Sequence, residues 1–324
     1  MTTKHYKVLI ADAAIHPDGI KLLETVADLT LLPSYSTEAE LVSAAGDVDA
    51  ILARTAKITA AVIAASPKLK IVSRHGVGVD SVDLEACNRH GVLVTITGDA
   101  NAVAVSEHAF GCLLAMARKV ILAHANIKAG KWERDRIIGT ELYQKVLGLI
   151  GLGRIGSNMA RRAKAFEMEV IAYDPYARPE TAQQLGVPLV DLPTLLRRSD
   201  FISLHVPLTK ETGHIIGQAE LAQMKPSAIL VNTARGGLID EQALYESLAA
   251  QRIAGVALDV FEQEPLPANH SLTQLDTVLF SPHVAGQTAE ALRRMSVGAA
   301  ENILAVFRGE IPPFVVNPEV LNQR

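Results

Sequence analysis

The chain has few of the features that mark secreted, membrane or nucleic-acid-binding proteins. It has only two cysteines in 324 residues, and the spacing of Cys87 and Cys112 matches neither a disulfide framework nor a metal or redox motif. A formal net charge of −4 argues against a broad surface for nucleic acid or anionic lipid. The longest apolar run, residues 109–117, is too short to cross a bilayer, and the charged start of the chain is unlike a secretory signal. We therefore expect a cytoplasmic protein with no metal site, no nucleic-acid partner and no membrane attachment.

A glycine motif near the middle of the chain is its most informative positive feature. Residues 151–156 read GLGRIG, after the apolar run 145–150 and before apolar residues at helical spacing. A second apolar run, 170–173, ends at Asp174, eighteen residues after Gly156. Strand, glycine loop, helix, strand and acid in this order predict a dinucleotide-binding unit.

Each residue of this motif has a physical reason. Gly151 permits a tight turn, Gly153 lets a pyrophosphate approach the backbone, and Gly156 lets the helix pack on the strand. The helix N-terminus offers unpaired N–H groups to the phosphates. Asp174 can accept hydrogen bonds from both ribose hydroxyls and would repel a 2′-phosphate, so the predicted cofactor is NAD; Arg178 nearby softens that exclusion.

The rest of the chain alternates between short strands and helices. With 49% hydrophobic and 20% charged residues, it has enough apolar material for two compact domains. We predict an α/β fold of two doubly wound parallel-sheet domains with a cleft between them. The substrate-binding domain comprises residues 1–100 and 287–324, the dinucleotide-binding domain comprises 101–286, and 101–128 form one long helix.

Three predicted strand ends in the second half carry polar side chains suited to acid–base chemistry. Arg235, Glu264 and His283 follow successive strands. A histidine can accept a hydroxyl proton near neutral pH, a carboxylate can orient its ring and raise its pKa, and a guanidinium can clamp a carboxylate. This set suits hydride transfer between C2 of a hydroxy acid and a nicotinamide.

The motifs taken together resemble those of the D-2-hydroxyacid dehydrogenase family, and within it those of D-3-phosphoglycerate dehydrogenases. The resemblance covers nearly the whole chain and implies a flavodoxin-like substrate domain and a Rossmann domain. It is carried by RHGVGVD at 74–80, KWER at 131–134, GTEL at 139–142, GLGRIG at 151–156, NTARGG at 232–237, LDVFEQEP at 258–265 and SPHVAG at 281–286.

The resemblance implies that His283 is the acid/base, that Glu264 is its partner and that Arg235 binds and orients the substrate. It also implies that Val77 and Gly78 present backbone N–H groups to the substrate carboxylate. The implied cofactor contacts are Arg154 and Ile155 at the pyrophosphate, Asp174 at the ribose, His205 and Pro207 beside the adenosine, and Thr233, Ala234, Asp259 and Gly286 near the nicotinamide.

Cations around the expected substrate site suggest a second anionic group on the substrate: Arg54, Lys57, Arg74 and Arg134, the last of which relatives can supply from a neighbouring subunit. The chain departs from the phosphoglycerate-type pattern at His75, at Ser81 and at residues 97–99. Those departures leave 3-phosphoglycerate, sulfolactate, a hydroxy-dicarboxylate, hydroxypyruvate and glyoxylate open as substrates.

The resemblance bears on assembly and on other functions. Relatives dimerise through the region of 101–128 and the arm at 131–139, so a homodimer is expected. Longer phosphoglycerate dehydrogenases continue past the position of Arg324 into a serine-binding regulatory domain, so we expect a short form. An NAD(H)-sensing binding protein, like the corepressors that resemble this family, remains the alternative to an enzyme.

Overall fold

The computed structural model describes residues 5–323. Strands and helices alternate in the first part of the chain. In chain order they are β1 Tyr6–Ile10, α1 Pro17–Glu24, β2 Ala27–Leu31, α2 Glu38–Ala45, β3 Ala50–Ala53, α3 Ala60–Ala64, β4 Ile71–Arg74, α4 Leu84–Arg89 and β5 Leu93–Thr95.

The alternation continues after two consecutive helices. These elements are α5 Ala102–Ala117, α6 Val120–Lys128, β6 Val146–Ile150, α7 Arg154–Ala165, β7 Glu169–Tyr173, α8 Pro179–Leu185, α9 Leu192–Arg198, β8 Phe201–Leu204, α10 Gln218–Leu221, β9 Ile229–Asn232, α11 Glu241–Ala249, β10 Gly255–Leu258, β11 Val278–Phe280 and α12 Ala289–Phe307. Short 3-10 turns occur at Arg134–Arg136, Gly236–Leu238, Ser271–Gln274 and Pro318–Gln323.

The described residues form two compact units. The first runs to Asn101 and resumes at Gln287, and the second covers Ala102–Gly286. The sheet of the first unit has the order β2-β1-β3-β4-β5, which is the flavodoxin-like order. Apolar side chains fill both faces of this sheet, one beneath α2, α3 and α4 and the other beneath α1 and α12.

The sheet of the second unit has the order β11-β10-β9-β8-β6-β7, and its strands are all parallel. An isolated parallel bridge between Ala172 and Leu189 lies next to β7, where the usual dinucleotide-binding order has a third strand. Helices α9, α10 and α11 cover one apolar face, and α5, α7 and α8 cover the other. Helices on both faces of two parallel sheets confirm the predicted fold class.

The prediction of one long helix over 101–128 is wrong. Helix α5 ends at Ala117, and Lys119 takes a left-handed φ of 51°. The axes of α5 and α6 are bent by 63° relative to each other. The Ala117 carbonyl accepts a 2.7 Å hydrogen bond from the Thr140 N–H, which ends the helical bonding there. Gly111 lies inside α5 and does not interrupt it. No single helix within residues 5–323 has the length and apolarity to span a membrane, although the bent pair α5–α6 meets those two criteria jointly.

The sequence also left two elements unpredicted. Strand β2 lies at the sheet edge, and its exposed Asp28 and Thr30 give it little apolar character. Helix α8 is short and has one buried residue, Ala182. Both elements have too few buried side chains to leave a periodic apolar pattern.

Candidate active site

Five strands of the second unit end in one row, because parallel strands share the direction of their carboxyl ends. The register aligns the residues Ile150, Leu204, Asn232, Leu258 and Phe280. The next residues along the chain are Gly151, His205, Thr233, Asp259 and Ser281. The predicted cofactor and catalytic segments of this unit therefore start at the same edge of one sheet, where such folds bind ligands.

The three glycines of the loop after β6 have three different surroundings. Gly151 has φ 99°, and a Cβ there would lie 2.7 Å from the His205 carbonyl oxygen. A Cβ on Gly156 would overlap the Gly151 carbonyl oxygen, whereas a Cβ on Gly153 would have no protein atom within 4 Å. Gly151 and Gly156 are thus required by the fold itself, and Gly153 leaves the backbone open at the N-cap of α7.

Asp174 follows β7 and is fixed by the backbone around it. Its Oδ2 accepts a 2.8 Å bond from the Leu152 N–H of the glycine loop, and its Oδ1 accepts a 2.9 Å bond from the Tyr176 N–H. Arg154 is exposed in the first turn of α7, and Ile155 beside it is half-buried. The acid and the helix N-terminus are therefore held together as a dinucleotide site requires.

Two buried polar atoms at the strand ends have no hydrogen-bond partner within residues 5–323. They are Nδ1 of His205 and Oγ1 of Thr233. Burial lowers the pKa of His205 to about 4, and its Nε2 lies 3.0 Å from the Ser203 hydroxyl. Pro207 is exposed, and Ala234 and Gly286 are half-buried. Unpaired buried polar atoms beside an open glycine loop fit a cofactor that would supply their partners.

His283 and Glu264 form a hydrogen-bonded pair. His283 Nδ1 lies 2.8 Å from Glu264 Oε2, and Glu264 Oε1 accepts a 3.0 Å bond from the Phe261 N–H. The bond to Glu264 raises the pKa of His283, against the opposing effect of partial burial. Burial acts to raise the pKa of Glu264, but the bond from His283 and the charge beside it outweigh burial and lower it. In the described part of the chain, His283 Nε2 has no hydrogen-bond partner, so it is available to a substrate hydroxyl.

The loop that carries His283 is held by the buried carboxylate of Asp259. Its Oδ1 accepts bonds from the Ser281 hydroxyl at 2.6 Å and the Val284 N–H at 2.9 Å, and its Oδ2 accepts from the Ala285 N–H at 2.8 Å. His283 itself takes a φ of 52°, a backbone conformation that residues other than glycine rarely adopt. The family resemblance implies a place for Asp259 near the nicotinamide, and no sequence pattern indicates its support of the histidine loop.

Arg235 stands at the end of β9 on a tightly packed turn. The Asn232 side chain donates a 2.7 Å bond to the Arg235 carbonyl, and its Oδ1 accepts a 3.0 Å bond from the Ala234 N–H. A Cβ on Gly236 would overlap the Phe261 backbone, so this turn packs directly against the segment that leads to Glu264. The Arg235 charge lowers the pKa values of both His283 and Glu264, although stronger effects set the net shift of His283. Asn232, a positioning residue, was not predicted.

In the first unit, the loop after β4 presents free backbone donors. Gly76 has φ 136° and exchanges bonds with Thr97, whose hydroxyl accepts from the Gly76 N–H at 2.9 Å. Within residues 5–323, the N–H groups of Val77 and Gly78 have no acceptor. Two consecutive free N–H groups make a site that suits an anion such as a carboxylate.

Arg74 has a different environment from the one we expected. It is 8% exposed, and its guanidinium donates to the carbonyls of Gly78, Ala53 and Arg54 at 2.9, 3.1 and 2.7 Å. These bonds tie the end of β4 to the end of β3 and to the Val77–Gly78 loop. The geometry makes Arg74 a positioning residue for that loop.

The other predicted substrate residues differ in exposure. Arg54 Nη1 lies 3.6 Å from the buried Asp12 carboxylate, while Lys57 is exposed. Arg134 is exposed in the short turn Arg134–Arg136 of the second unit. His75 is buried, with Nε2 3.0 Å from the Ser296 hydroxyl of α12, and burial lowers its pKa to about 4. His75 is thus a packing residue of its own unit.

Comparison with known proteins identifies the family. Residues 110–285 match the model of the D-isomer specific 2-hydroxyacid dehydrogenase, NAD binding domain. The chain belongs to this family. The predicted family resemblance and the predicted cofactor, NAD, are both confirmed.

Individual relatives cover most of the chain. It is 47% identical over 313 residues to D-3-phosphoglycerate dehydrogenase of Methanocaldococcus jannaschii, covering 96% of this chain and 59% of that protein. It is 44% identical to hydroxypyruvate reductase of Thermotoga maritima over 92% of this chain and 97% of that protein. The TT0316 protein of Thermus thermophilus superposes with a TM-score of 0.89 at 35% identity, covering 96% of this chain and 99% of that one. The chain spans 54–59% of the length of the first D-3-phosphoglycerate dehydrogenases that it matches.

Proposed function

We propose that the protein is an NAD-dependent oxidoreductase that transfers a hydride between C2 of a D-2-hydroxy acid and the nicotinamide. The observation that carries this proposal is the 2.8 Å bond between His283 and Glu264, at the sheet edge that also holds the glycine loop and Arg235. A panel of 2-hydroxy and 2-oxo acids, assayed with NAD or NADH at the nicotinamide absorbance, tests it.

His283 moves the proton in this mechanism. Glu264 holds Nδ1, which leaves Nε2 to take the C2 hydroxyl proton as the hydride departs, and to return a proton when the 2-oxo acid is reduced. The bound cofactor supplies the hydride acceptor or donor. Because oxidation requires neutral His283 and reduction requires protonated His283, oxidation fails as pH falls below the raised pKa of His283, and reduction fails as pH rises above it.

Each unit offers donors that suit an anionic substrate. We assign the substrate carboxylate to the free N–H groups of Val77 and Gly78 in the first unit, and the binding and orientation of the substrate to the guanidinium of Arg235 in the second unit. Arg74 holds the Val77–Gly78 loop in place through its hydrogen bond to the Gly78 carbonyl. On the cofactor side, Arg154 and Ile155 would hold the pyrophosphate, His205 and Pro207 would flank the adenosine, and Thr233, Ala234, Asp259 and Gly286 would hold the nicotinamide.

We expect NAD(H) to be preferred over NADP(H) by at least ~10-fold in kcat/KM, about 1.4 kcal/mol. The Asp174 carboxylate is held in place by Leu152 and Tyr176, so it cannot easily turn away from a 2′-phosphate. Steady-state kinetics with both cofactors measure the ratio. Equal or better turnover with NADP(H) would show that Asp174 does not exclude the phosphate, and would give Arg178 the larger role.

A second anionic group on the substrate remains our preferred assignment, with Arg54 and Arg134 as the cations that bind it. The alternative is a glyoxylate or hydroxypyruvate reductase. It is favoured by the burial of Arg74, which directs one of the predicted cations to backbone carbonyls. A sulfolactate-type dehydrogenase and a hydroxy-dicarboxylate dehydrogenase remain within the doubly anionic class.

Replacing Arg134 with Ala is expected to raise KM about 10-fold for a doubly anionic 2-hydroxy acid and much less for glyoxylate, because only the former has a second charge to lose. Arg136→Ala is the matched control, since Arg136 is exposed in the same turn. If glyoxylate is the best substrate and Arg134→Ala affects every acid alike, the assignment of a second anionic group is wrong.

We further propose that the protein is a cytoplasmic homodimer. No residue of α6 is buried within the chain, and Val120, Ile121, Ile127 and Trp132 are all more than half exposed. Such a surface is typical of an interface between subunits. Sedimentation at micromolar concentration is expected to give twice the chain mass, and a single-chain mass would refute the proposal.

A further inference from the structure

The segment that carries Glu264 has little support from its own backbone. It follows β10 as an irregular loop, and in the described part of the chain no backbone–backbone hydrogen bond involves residues 261–266. The position of Glu264 therefore depends on contacts from side chains outside the loop.

One buried carboxylate contacts this segment at two points. Glu241, the first residue of α11, is 8% exposed. Its Oε1 accepts a 2.8 Å bond from the Glu262 N–H, and its Oε2 lies 3.2 Å from His270 Nε2. Glu264 lies between these two points of attachment in the sequence. The same carboxylate thus holds both ends of the segment 262–270.

The attachment at Glu262 is reciprocal. The Glu262 carboxylate accepts a 3.3 Å bond from the Glu241 N–H and lies 3.0 Å from His214 Nε2. This exchange provides an acceptor for an N–H of the first turn of α11, which otherwise has no intrahelical partner. The helix and the loop are therefore joined as one unit at this point.

A carboxylate at this position has an electrostatic cost. Burial raises the pKa of Glu241, and the charges of Glu262 and Glu264 raise it further, while His270 lowers it. A glutamine of the same size would avoid the cost, but only one of its two terminal atoms can accept a hydrogen bond. The carboxylate can accept at both oxygens at once, from the Glu262 N–H at Oε1 and from a protonated His270 Nε2 at Oε2.

We propose that Glu241 is a positioning residue for the acid–base pair: by fixing both ends of the segment 262–270, it holds Glu264 against His283. The inference rests on the function proposed above for that pair. Glu264, Arg235 and Asp259 are the charged groups that act on His283, and Glu264 is the one that a loosened segment would displace.

The test replaces Glu241 with Gln in the full chain and uses Glu246→Gln as the matched control. Glu246 lies on the same helix, is exposed, and loses the same charge. The first measurement is the pKa of the His283 ring by NMR, assigned with His283→Ala. We expect the pKa to fall in Glu241→Gln by about half a pH unit or more, because the bond to Glu264 that raises it is weakened. In Glu246→Gln it should not change.

The second measurement is the reduction of a 2-oxo acid. We expect kcat to fall about 10-fold in Glu241→Gln, the alkaline limb of the pH profile to move to lower pH, and the NADH dissociation constant to stay within about 2-fold. Glu241→Ala, which removes both oxygens, should show larger changes; if it fails to fold, Glu241→Gln alone decides the question.

The two proposals fail in different ways. If the variants fold, and the pKa of His283 and kcat match those of Glu246→Gln, Glu241 does not position the pair, even if its melting temperature falls. If the wild-type protein reduces no 2-oxo acid, the proposed function is wrong, but the pKa of His283 still shows whether Glu241 holds Glu264 in place.

Discussion

Replacing His283 with Ala should lower kcat by ~10²-fold or more, while the affinity for NADH changes little. His283 pairs with a carboxylate through Nδ1, and its Nε2 has no hydrogen-bond partner among the described residues, so its loss removes the proton acceptor without altering the glycine loop. Steady-state kinetics and a fluorescence titration with NADH measure the two effects. His90→Ala, at an exposed helix end in the first unit, is the matched control. A fully active His283→Ala variant would rule out the mechanism.

Glu264→Gln separates the orienting role from the proton transfer. Because the bond to Glu264 raises the pKa of His283, its weakening should lower that pKa. The acidic limb for oxidation and the alkaline limb for reduction should then both move to lower pH. Limbs that stay in place would mean that another group controls the profile.

Replacing Gly153 and Gly156 separately should give opposite results. In Gly153→Ala the new methyl meets no protein atom, so the apoprotein should keep its melting temperature. The methyl would instead occupy the surface that the pyrophosphate approaches, and the loss of one or two backbone bonds to a charged group should weaken NADH binding about 30-fold, about 2 kcal/mol. Thermal unfolding and an NADH titration measure both quantities.

Gly156→Ala is the contrasting variant. Its methyl would overlap the Gly151 carbonyl, so the helix must shift, and we expect a loss of about 1–3 kcal/mol in the free energy of unfolding. If Gly153→Ala binds NADH normally, or if Gly156→Ala is as stable as the wild type, the assignment of these glycines to cofactor and fold is wrong.

Local patterns predicted much of the fold. The glycine loop, β3, β9 and α9 leave strong signals in sequence, because each is a continuous buried run or a capped periodic segment. The end of α5 at Ala117 leaves no signal in the sequence, because no proline or glycine marks it. The helix ends where the Ala117 carbonyl accepts a hydrogen bond from the distant Thr140 N–H. An edge strand such as β2 buries too little to be recognised.

The residues of the candidate site also fall into two groups, those that the sequence predicts and those that it does not. Arg235, Glu264 and His283 could be identified because each follows a strand of one parallel sheet, and strand ends converge without further information. The supporting roles of Asp259, Asn232 and Glu241 could not be predicted from the sequence, because they depend on which loop amides face which side chains. For Arg74 the sequence predicted too much. Its charge suggested an anion site, whereas its guanidinium donates hydrogen bonds to three backbone carbonyls.

The proposed hydride transfer is tested most directly by a single-turnover measurement of NADH oxidation with a panel of 2-oxo acids, followed by chiral analysis of the product. We expect at least one 2-oxo acid to oxidise bound NADH and give the D-2-hydroxy acid, and His283→Ala to slow this step by ~10²-fold or more. NADH that binds tightly but is oxidised by none of the acids would rule out the proposed dehydrogenase, and would favour an NAD(H)-sensing binding protein.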